Sequence, residues 1–354
     1  MPKWRIAGVE IAPAGTMRFS RVVCLALLAT YVPAPSPVLA QEIRISHQWA
    51  ENTDARDRAA RVFAQEAQTR SRGLKFRIYP NSSLNIKPRD TLAALQTGKL
   101  EMAVYPLVYA VPQVPEFSLA GLPGLVPTFE AAQALKTSDI FAMLQSIAEE
   151  HGIRLLAMLW NPGGFLAKGR EIIGPTSVAS LKMRVSDPLF GLMMEKAGAS
   201  VTTMPSNEIY AAMKSGSLDA VVTTYETILS RKIYEQAKFA TVGGPSLFMG
   251  FSPLVMSLST WRGLSKEQQV AVEEAAAITD TFYESAQRDV ERRMVATLRE
   301  AGVTVRRMSK DDYTSWLQLA QRTAWLEYTR INPRAQELLV RLVRTILEGV
   351  EESK

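Results

Sequence analysis

From Glu42 onward, short apolar runs alternate with longer amphipathic stretches, and this alternation restricts the chain to a small set of folds. IRIS (43–46) is followed by DARDRAARVFAQEAQTRS (54–71), in which Ala59, Val62, Phe63 and Ala67 share one helical face. LKFRIYP (74–80) comes next, then PRDTLAALQTG (88–98), closed by Gly98, and then EMAVYPL (101–107). Strand, helix, strand, helix, strand is the pattern of a sheet with parallel strands covered by helices. A loop rich in proline and glycine, VPQVPEFSLAGLPGLVP (111–127), interrupts the rhythm. Helices over about 128–150 and a strand RLLAMLW (154–160) follow. After NPGG (161–164) the alternation resumes with LKMRV (181–185), DPLFGLMMEKAG, SVTTMP, SNEIYAAMKSG, SLDAVVT and YETILSRKIYEQA.

Two segments echo one another. LAALQTGKLEMAVY and YAAMKSGSLDAVVT both run from an amphipathic helix through a glycine to an acidic residue three positions on and then into an apolar strand, Gly98 to Glu101 and Gly216 to Asp219. Either this is an internal duplication giving two similar lobes, or it repeats a common helix–Gly–strand corner. Past Phe251 come a strand SPLVMSLS (252–259) and a helical run from 265 to 302 without interruption, about 55 Å at 1.5 Å per residue. That exceeds the width of one lobe, so the helix is expected to bridge both. A strand VTVRRM (303–308) and helices over about 309–329 and 333–350 complete the chain. The expected division is 41–161 plus about 250–288 for the first lobe and 162–249 plus about 289–354 for the second. Crossings at 161–164, near 250 and within the long helix would form a hinge.

The first forty residues are different in kind. Arg18 and Arg21 precede the apolar VVCLALLATYV and then PAPSPVLA, ending at Ala40, which reads as a cleaved secretory signal. Its apolar core is too short to span a bilayer, which takes about 20 residues. Residues 1–15 read as an extension upstream of a start at Met17. The single cysteine, Cys24, lies in this signal, so the exported chain has neither thiol chemistry nor a disulfide. Lys3, Arg5, Arg18 and Arg21 against Glu10 account for three of the six formal positive charges, and the remaining basic residues form no block. Nucleic acid is therefore not an expected partner.

Residues that would carry catalysis are scarce. The two histidines, His47 and His151, have no metal-ligand spacing, and no nucleophile elbow, phosphate loop or dinucleotide fingerprint is present. His47 follows the first strand, where α/β folds place ligand loops, and takes either a pocket role or a structural one. Arg184 presents the sharper question. It sits inside the apolar run Leu181-x-Met183-x-Val185, on the strand face opposite those residues. A guanidinium drawn out of water needs an anionic partner or a set of acceptors. That partner is either a nearby Asp or Glu or a ligand from outside.

The succession YPNSSL (79–84), LAALQTGKLEMAV, VPEFSLAGLPGLV, LKMRV and MPSNEIYAAMKSGSLDAVVT resembles the substrate-binding proteins of tripartite ATP-independent periplasmic (TRAP) transporters, the DctP-like family. The resemblance implies an α/β, two-lobed periplasmic binding protein fold, each lobe a mixed sheet flanked by helices, with a long helix bridging both. It implies that Arg184 forms a bidentate salt bridge to the carboxylate of an organic acid held between the lobes, a match of planar fork to carboxylate. Thr223 stands where the family often carries Asn, followed by Thr224 and Tyr225. Asp187 stands where sialic-acid-binding members carry Asn, and Gly164 where those members carry a second arginine, which weakens the case for sialic acid. Trp49 and Tyr105 either flank the ligand or fill the core, and Phe165 and Phe248 are candidates of the same kind. The expected activity is capture of a small organic acid by cleft closure and delivery to the small and large TRAP membrane subunits. No cofactor, metal or enzymatic step is implied, the chain is expected to be a monomer, and the aromatic supply hints at a monocarboxylate. The alternatives are a secreted hydrolase using cleft carboxylates and an ABC-type or sensor-linked binding protein.

Overall fold

The structure, a computed structural model, describes residues 41–351 apart from residue 72; the signal and the upstream extension lie outside them. The described residues form twelve strands: β1 (Gln41–Ser46), β2 (Leu74–Tyr79), β3 (Met102–Val104), β4 (Ile153–Leu155), β5 (Trp160–Ala167), β6 (Lys182–Val185), β7 (Ser200–Thr203), β8 (Ala220–Thr224), β9 (Phe239–Thr241), β10 (Met249–Phe251), β11 (Leu254–Ser257) and β12 (Thr304–Arg306). They form two mixed sheets, one in the order β2-β1-β3-β11-β4 and the other β12-β9-β5-β8-β6-β7, with β10 paired to β5.

The two sheets share one plan. In the first, β2, β1 and β3 are parallel, then β11 is antiparallel to β3 and β4 antiparallel to β11. In the second, β7, β6 and β8 are parallel, then β5 is antiparallel to β8 and β9 antiparallel to β5. The echoed sequences occupy matching places. Gly98 and Gly216 leave their helices at φ +69° and +80°, left-handed values that glycine adopts without strain. The acid after each glycine then caps the neighbouring strand: Glu101 accepts the Arg44 N–H at 3.0 Å, and Asp219 accepts the Lys182 N–H at 2.9 Å. In the first sheet the antiparallel strand β11 enters from beyond the strands of the second sheet, and in the second the edge strand β12 enters from beyond β11, so the lobes are tied together by exchange.

That exchange accounts for a departure from the sequence reading. RLLAMLW is not one strand: β4 ends at Leu155 in the first sheet, and β5 begins at Trp160 in the second. NPGG, expected as a break, lies inside β5, where Pro162 faces Met249 of β10. Its glycines serve close backbone approach and not a turn. A Cβ on Gly163 would meet the Thr223 carbonyl oxygen at 2.5 Å, and one on Gly164 would meet the Thr241 carbonyl oxygen at 2.6 Å.

The long helix is present but bent. It runs from Lys266 to Arg288, breaks at Asp289, and continues from Val290 to Glu300. A Ser265–Gln268 capping box opens it. Its first part lays Val272, Ala275, Ala276 and Tyr283 on the core that contains Ile43, Phe63 and Trp49, facing Ala59, Ala60, Ala64 and Ala67 of the Ala55–Arg70 helix. Its second part puts Val290, Met294 and Leu298 on the core that contains Val221, Ile228 and Val242. The expectation of an uninterrupted helix is corrected at Asp289, where two separate cores require two directions; bridging of both lobes holds. The strand expected at 252–259 shortens to Leu254–Ser257, with Leu258–Gly263 helical. The final helix, Pro333–Glu351, packs against the Phe129–Ala134 and Asp139–Glu150 helices.

The Gly164→Ala substitution is expected to lower the unfolding free energy by about 1–3 kcal/mol, the scale of overpacking against a backbone that cannot yield. Urea denaturation of the purified protein, followed by circular dichroism, measures it.

Candidate functional site

The C-terminal ends of the parallel strands in both sheets face a shared cavity of about 30 Å³. Arg184, on β6, contributes the guanidinium of its floor and is only 1% exposed. Its Nε and Nη2 both donate to the Met204 carbonyl, at 2.9 and 2.6 Å, and Nη1 donates to the Val222 carbonyl at 2.9 Å. Among the described residues no carboxylate lies within ion-pairing distance of it. Burial lowers its pKa from the ordinary guanidinium value, and the adjacent Tyr109 phenol partly offsets this. The fork is therefore oriented by backbone oxygens, while its charge is left without a counter-ion.

A second arginine borders the same space in a different state. Asp54 caps the Ala55–Arg70 helix and grips Arg56 bidentately, with Nε to Oδ1 and Nη2 to Oδ2 both at 2.7 Å. Arg56 also donates to Thr227 at 3.0 Å, and its guanidinium carbon stands 4.0 Å from the Trp49 ring centre. Burial would raise the pKa of Asp54, yet the charge of Arg56 holds it below the usual carboxylate range. Bonds from the far side tie this assembly to the second sheet: Ser230 donates to Asp54 at 2.7 Å, and Glu226 accepts the Ala55 N–H at 3.1 Å. Tyr109 accepts the Ser206 N–H at 3.0 Å across the same cleft. Apolar wall comes from Trp49, Val108, Phe248 and Phe251, and hydroxyls from Ser186, Ser206, Thr223 and Ser252. The indole N–H of Trp49 and the Ser186 hydroxyl are buried without a partner among the described residues.

Four of the nine candidates from sequence, Arg184, Thr223, Trp49 and Phe248, come together here. The other five lie elsewhere. The His47 Nε2–H donates to Asp57 at 3.0 Å, and its Nδ1 accepts the Trp49 N–H at 3.3 Å. Against the burial that would raise it, bonds from His47, Arg61 and the Asn52 N–H hold Asp57 at about 2. His47 and Tyr105 border a separate cavity of about 10 Å³. The Tyr225 hydroxyl accepts the Gly243 N–H at 2.6 Å, on the far side of β8. Phe165 stacks on Trp316 in the core, with ring centres 5.6 Å apart.

Asp187 is fully buried as the cap of the Pro188–Lys196 helix, accepting the Leu189 and Phe190 N–H groups and the Ser118 hydroxyl. Its carboxylate points at the 115–121 segment and not at Arg184, because the two backbone donors fix its direction. The sequence reading missed Arg56, Tyr109, Ser186, Ser206, Phe251 and Ser252. Arg56 carried one usable signal: a cation in the first turn of a helix opposes the macrodipole and so calls for a partner. Among the described residues, no group of His, Cys, Asp and Glu is arranged to hold a metal ion.

With this geometry established, comparison with known proteins defines the class. Residues 45–330 match the DctP model, bacterial extracellular solute-binding protein family 7. A solute-binding protein of Albidiferax ferrireducens is 35% identical over 311 residues, covering 86% of this chain and 91% of its own. The C4-dicarboxylate-binding periplasmic protein DctP of Rhodobacter capsulatus is 26% identical, covering 82% and 86%. The crystal structure of a TRAP periplasmic solute-binding protein from Rhodoferax ferrireducens with bound malonate superposes with a TM-score of 0.84 at 34% identity, covering 87% of this chain and 99% of that one. The chain belongs to the DctP family of TRAP solute-binding proteins. It is accordingly a solute-binding protein and not an enzyme, and the hydrolase and ABC-type alternatives are set aside.

Asp187 has a measurable consequence. Burial raises its pKa to about 6, above the unfolded value near 3.8, so the folded state favours the protonated acid. The stability this contributes is fully present below about pH 4 and is lost as pH rises through about 6. Asp187→Asn keeps the cap, should flatten that part of the stability–pH curve, and should raise stability at pH 7 by up to about 3 kcal/mol. Thermal unfolding of both proteins between pH 4 and 8 checks the sign.

Proposed function

We propose that the chain is exported to the periplasm through its N-terminal signal, captures a small organic acid by closing its two lobes, and delivers it to TRAP membrane subunits. The observation that carries this reading is the buried guanidinium of Arg184, set in the wall of a cavity between two sheets with no carboxylate among the described residues to balance it. A buried cation left in this state is stabilised when an anion enters, and a carboxylate fits the remaining N–H donors of the fork. Met204 and Val222 hold the fork before the ligand arrives, so little ordering is needed on binding.

Trp49, Thr223 and Phe248 line the ligand body in this reading, joined by Tyr109, Ser186 and Ser252. Bonds such as Ser230 to Asp54 and the Ser206 N–H to Tyr109 form only when the lobes approach, so they bias the protein toward the closed form. The protein acts as a monomer and requires no cofactor. The malonate bound by the Rhodoferax relative supports the ligand class, as does the C4-dicarboxylate named for the Rhodobacter relative.

A thermal-shift screen of organic acids, followed by calorimetry, tests the proposal. Stoichiometric binding without turnover is expected. The Arg184→Ala variant should retain its circular dichroism spectrum and lose at least about 2 kcal/mol of binding, the scale of truncating one member of a buried charge pair. Full affinity in that variant would exclude the anchor.

A further inference from the structure

The two arginines of the cavity differ in what they leave for a ligand. Among the described residues, the charged groups that line it are Arg56 and Arg184, and no carboxylate, lysine or histidine lines it with them. Asp54, directly behind Arg56, is fully buried and satisfied by four bonds: the Arg56 N–H, Nε and Nη2, and the Ser230 hydroxyl. One of the two positive charges is thereby neutralised from within the protein. The surrounding charges leave this balance in place. Buried Glu226 is bonded by Arg293 and the Ala55 N–H, and Arg231, outside the cavity and partly exposed, donates to the Gln48 carbonyl. Arg89 and Glu208, also near Arg184, are both solvent-exposed.

We propose that Asp54, by neutralising Arg56 in the cavity wall, sets the ligand's charge at minus one and makes the site select monocarboxylates over dicarboxylates of the same size. The inference rests on the carboxylate reading above and deepens it. A single carboxylate on Arg184 brings the enclosed charge to zero. A second would face Arg56, whose counter-ion is already supplied, and would stay uncompensated in a space from which water is excluded. The rest of the lining offers Trp49, Phe251 and the hydroxyls of Ser186 and Ser252 instead. These suit an amide, hydroxyl or methyl group and penalise a second anion, which is discrimination by the absence of a partner. Asp54 is here a positioning residue that acts through Arg56.

The test is calorimetry at pH 7.5 with pairs matched in shape and differing by one charge, malonamate against malonate and succinamate against succinate, within a wider panel of three- to six-carbon acids. The monoanion of each pair should bind at least about tenfold tighter to the wild type. In Asp54→Asn, which keeps a helix-capping side chain, Arg56 loses its counter-ion and the cavity carries two net positive charges. The ratio should then move at least about tenfold toward the dicarboxylate. A merely structural Asp54 would weaken both members alike and leave the ratio unmoved, and that result overturns the inference. So does a wild type that binds the dicarboxylate as tightly as its partner, a comparison that decides the matter alone if the variant fails to fold. Binding by no acid of the panel would instead remove the carboxylate reading, and the inference with it.

Discussion

A guanidinium withdrawn from water and denied a counter-ion is the condition on which this site is built. Arg184 cannot shed its proton, so its burial is supportable only because Met204 and Val222 turn carbonyl oxygens toward it. Those carbonyls are available because Val222 lies on β8 beside β6 and Met204 just beyond the end of β7, so the sheet itself supplies the acceptors. Backbone dipoles orient the cation without cancelling its charge. A carboxylate in the same place would have satisfied the arginine permanently and closed the site to any outside acid.

The contrast with Arg56 shows how much depends on the partner. Both arginines are buried and both line one cavity, Arg184 from β6 and Arg56 from the first turn of the Ala55–Arg70 helix. Arg56 has its own aspartate and a tryptophan face, and it ties the first helix to the Tyr225–Ser230 segment across the cleft. It behaves as part of the frame. Arg184 has none of these and is left as the cation in the cavity whose charge no carboxylate among the described residues balances.

The frame holds both arginines in place through repetition and exchange. Each sheet contains three neighbouring parallel strands followed by two successive antiparallel pairings, and each takes one strand from a remote part of the chain, β11 in the first and β12 in the second. The bent helix from Lys266 to Glu300 rests on both cores. Close backbone approach along β5, enforced by Gly163 and Gly164, leaves no room for a side chain there. At Gly164 a Cβ would meet the Thr241 carbonyl oxygen at 2.6 Å and the Val242 side chain at 2.9 Å.

The sequence by itself determined the two α/β halves, the echo between Gly98–Glu101 and Gly216–Asp219, the bridging helix and the isolation of Arg184 in an apolar strand. These rest on periodicity and local chemistry, which are written in consecutive residues. It misplaced the ends of RLLAMLW and the role of NPGG, because a glycine needed for a turn and one needed for strand contact look alike along the chain. Only the tertiary structure decided that Asp187 turns away from Arg184, that Tyr225 and Phe165 lie behind the sheet, and that Arg56, 128 positions before Arg184, borders the same cavity. Those outcomes depend on which backbone donors, carbonyls and carboxylates meet when distant strands are brought side by side, and no run of neighbouring residues encodes that meeting.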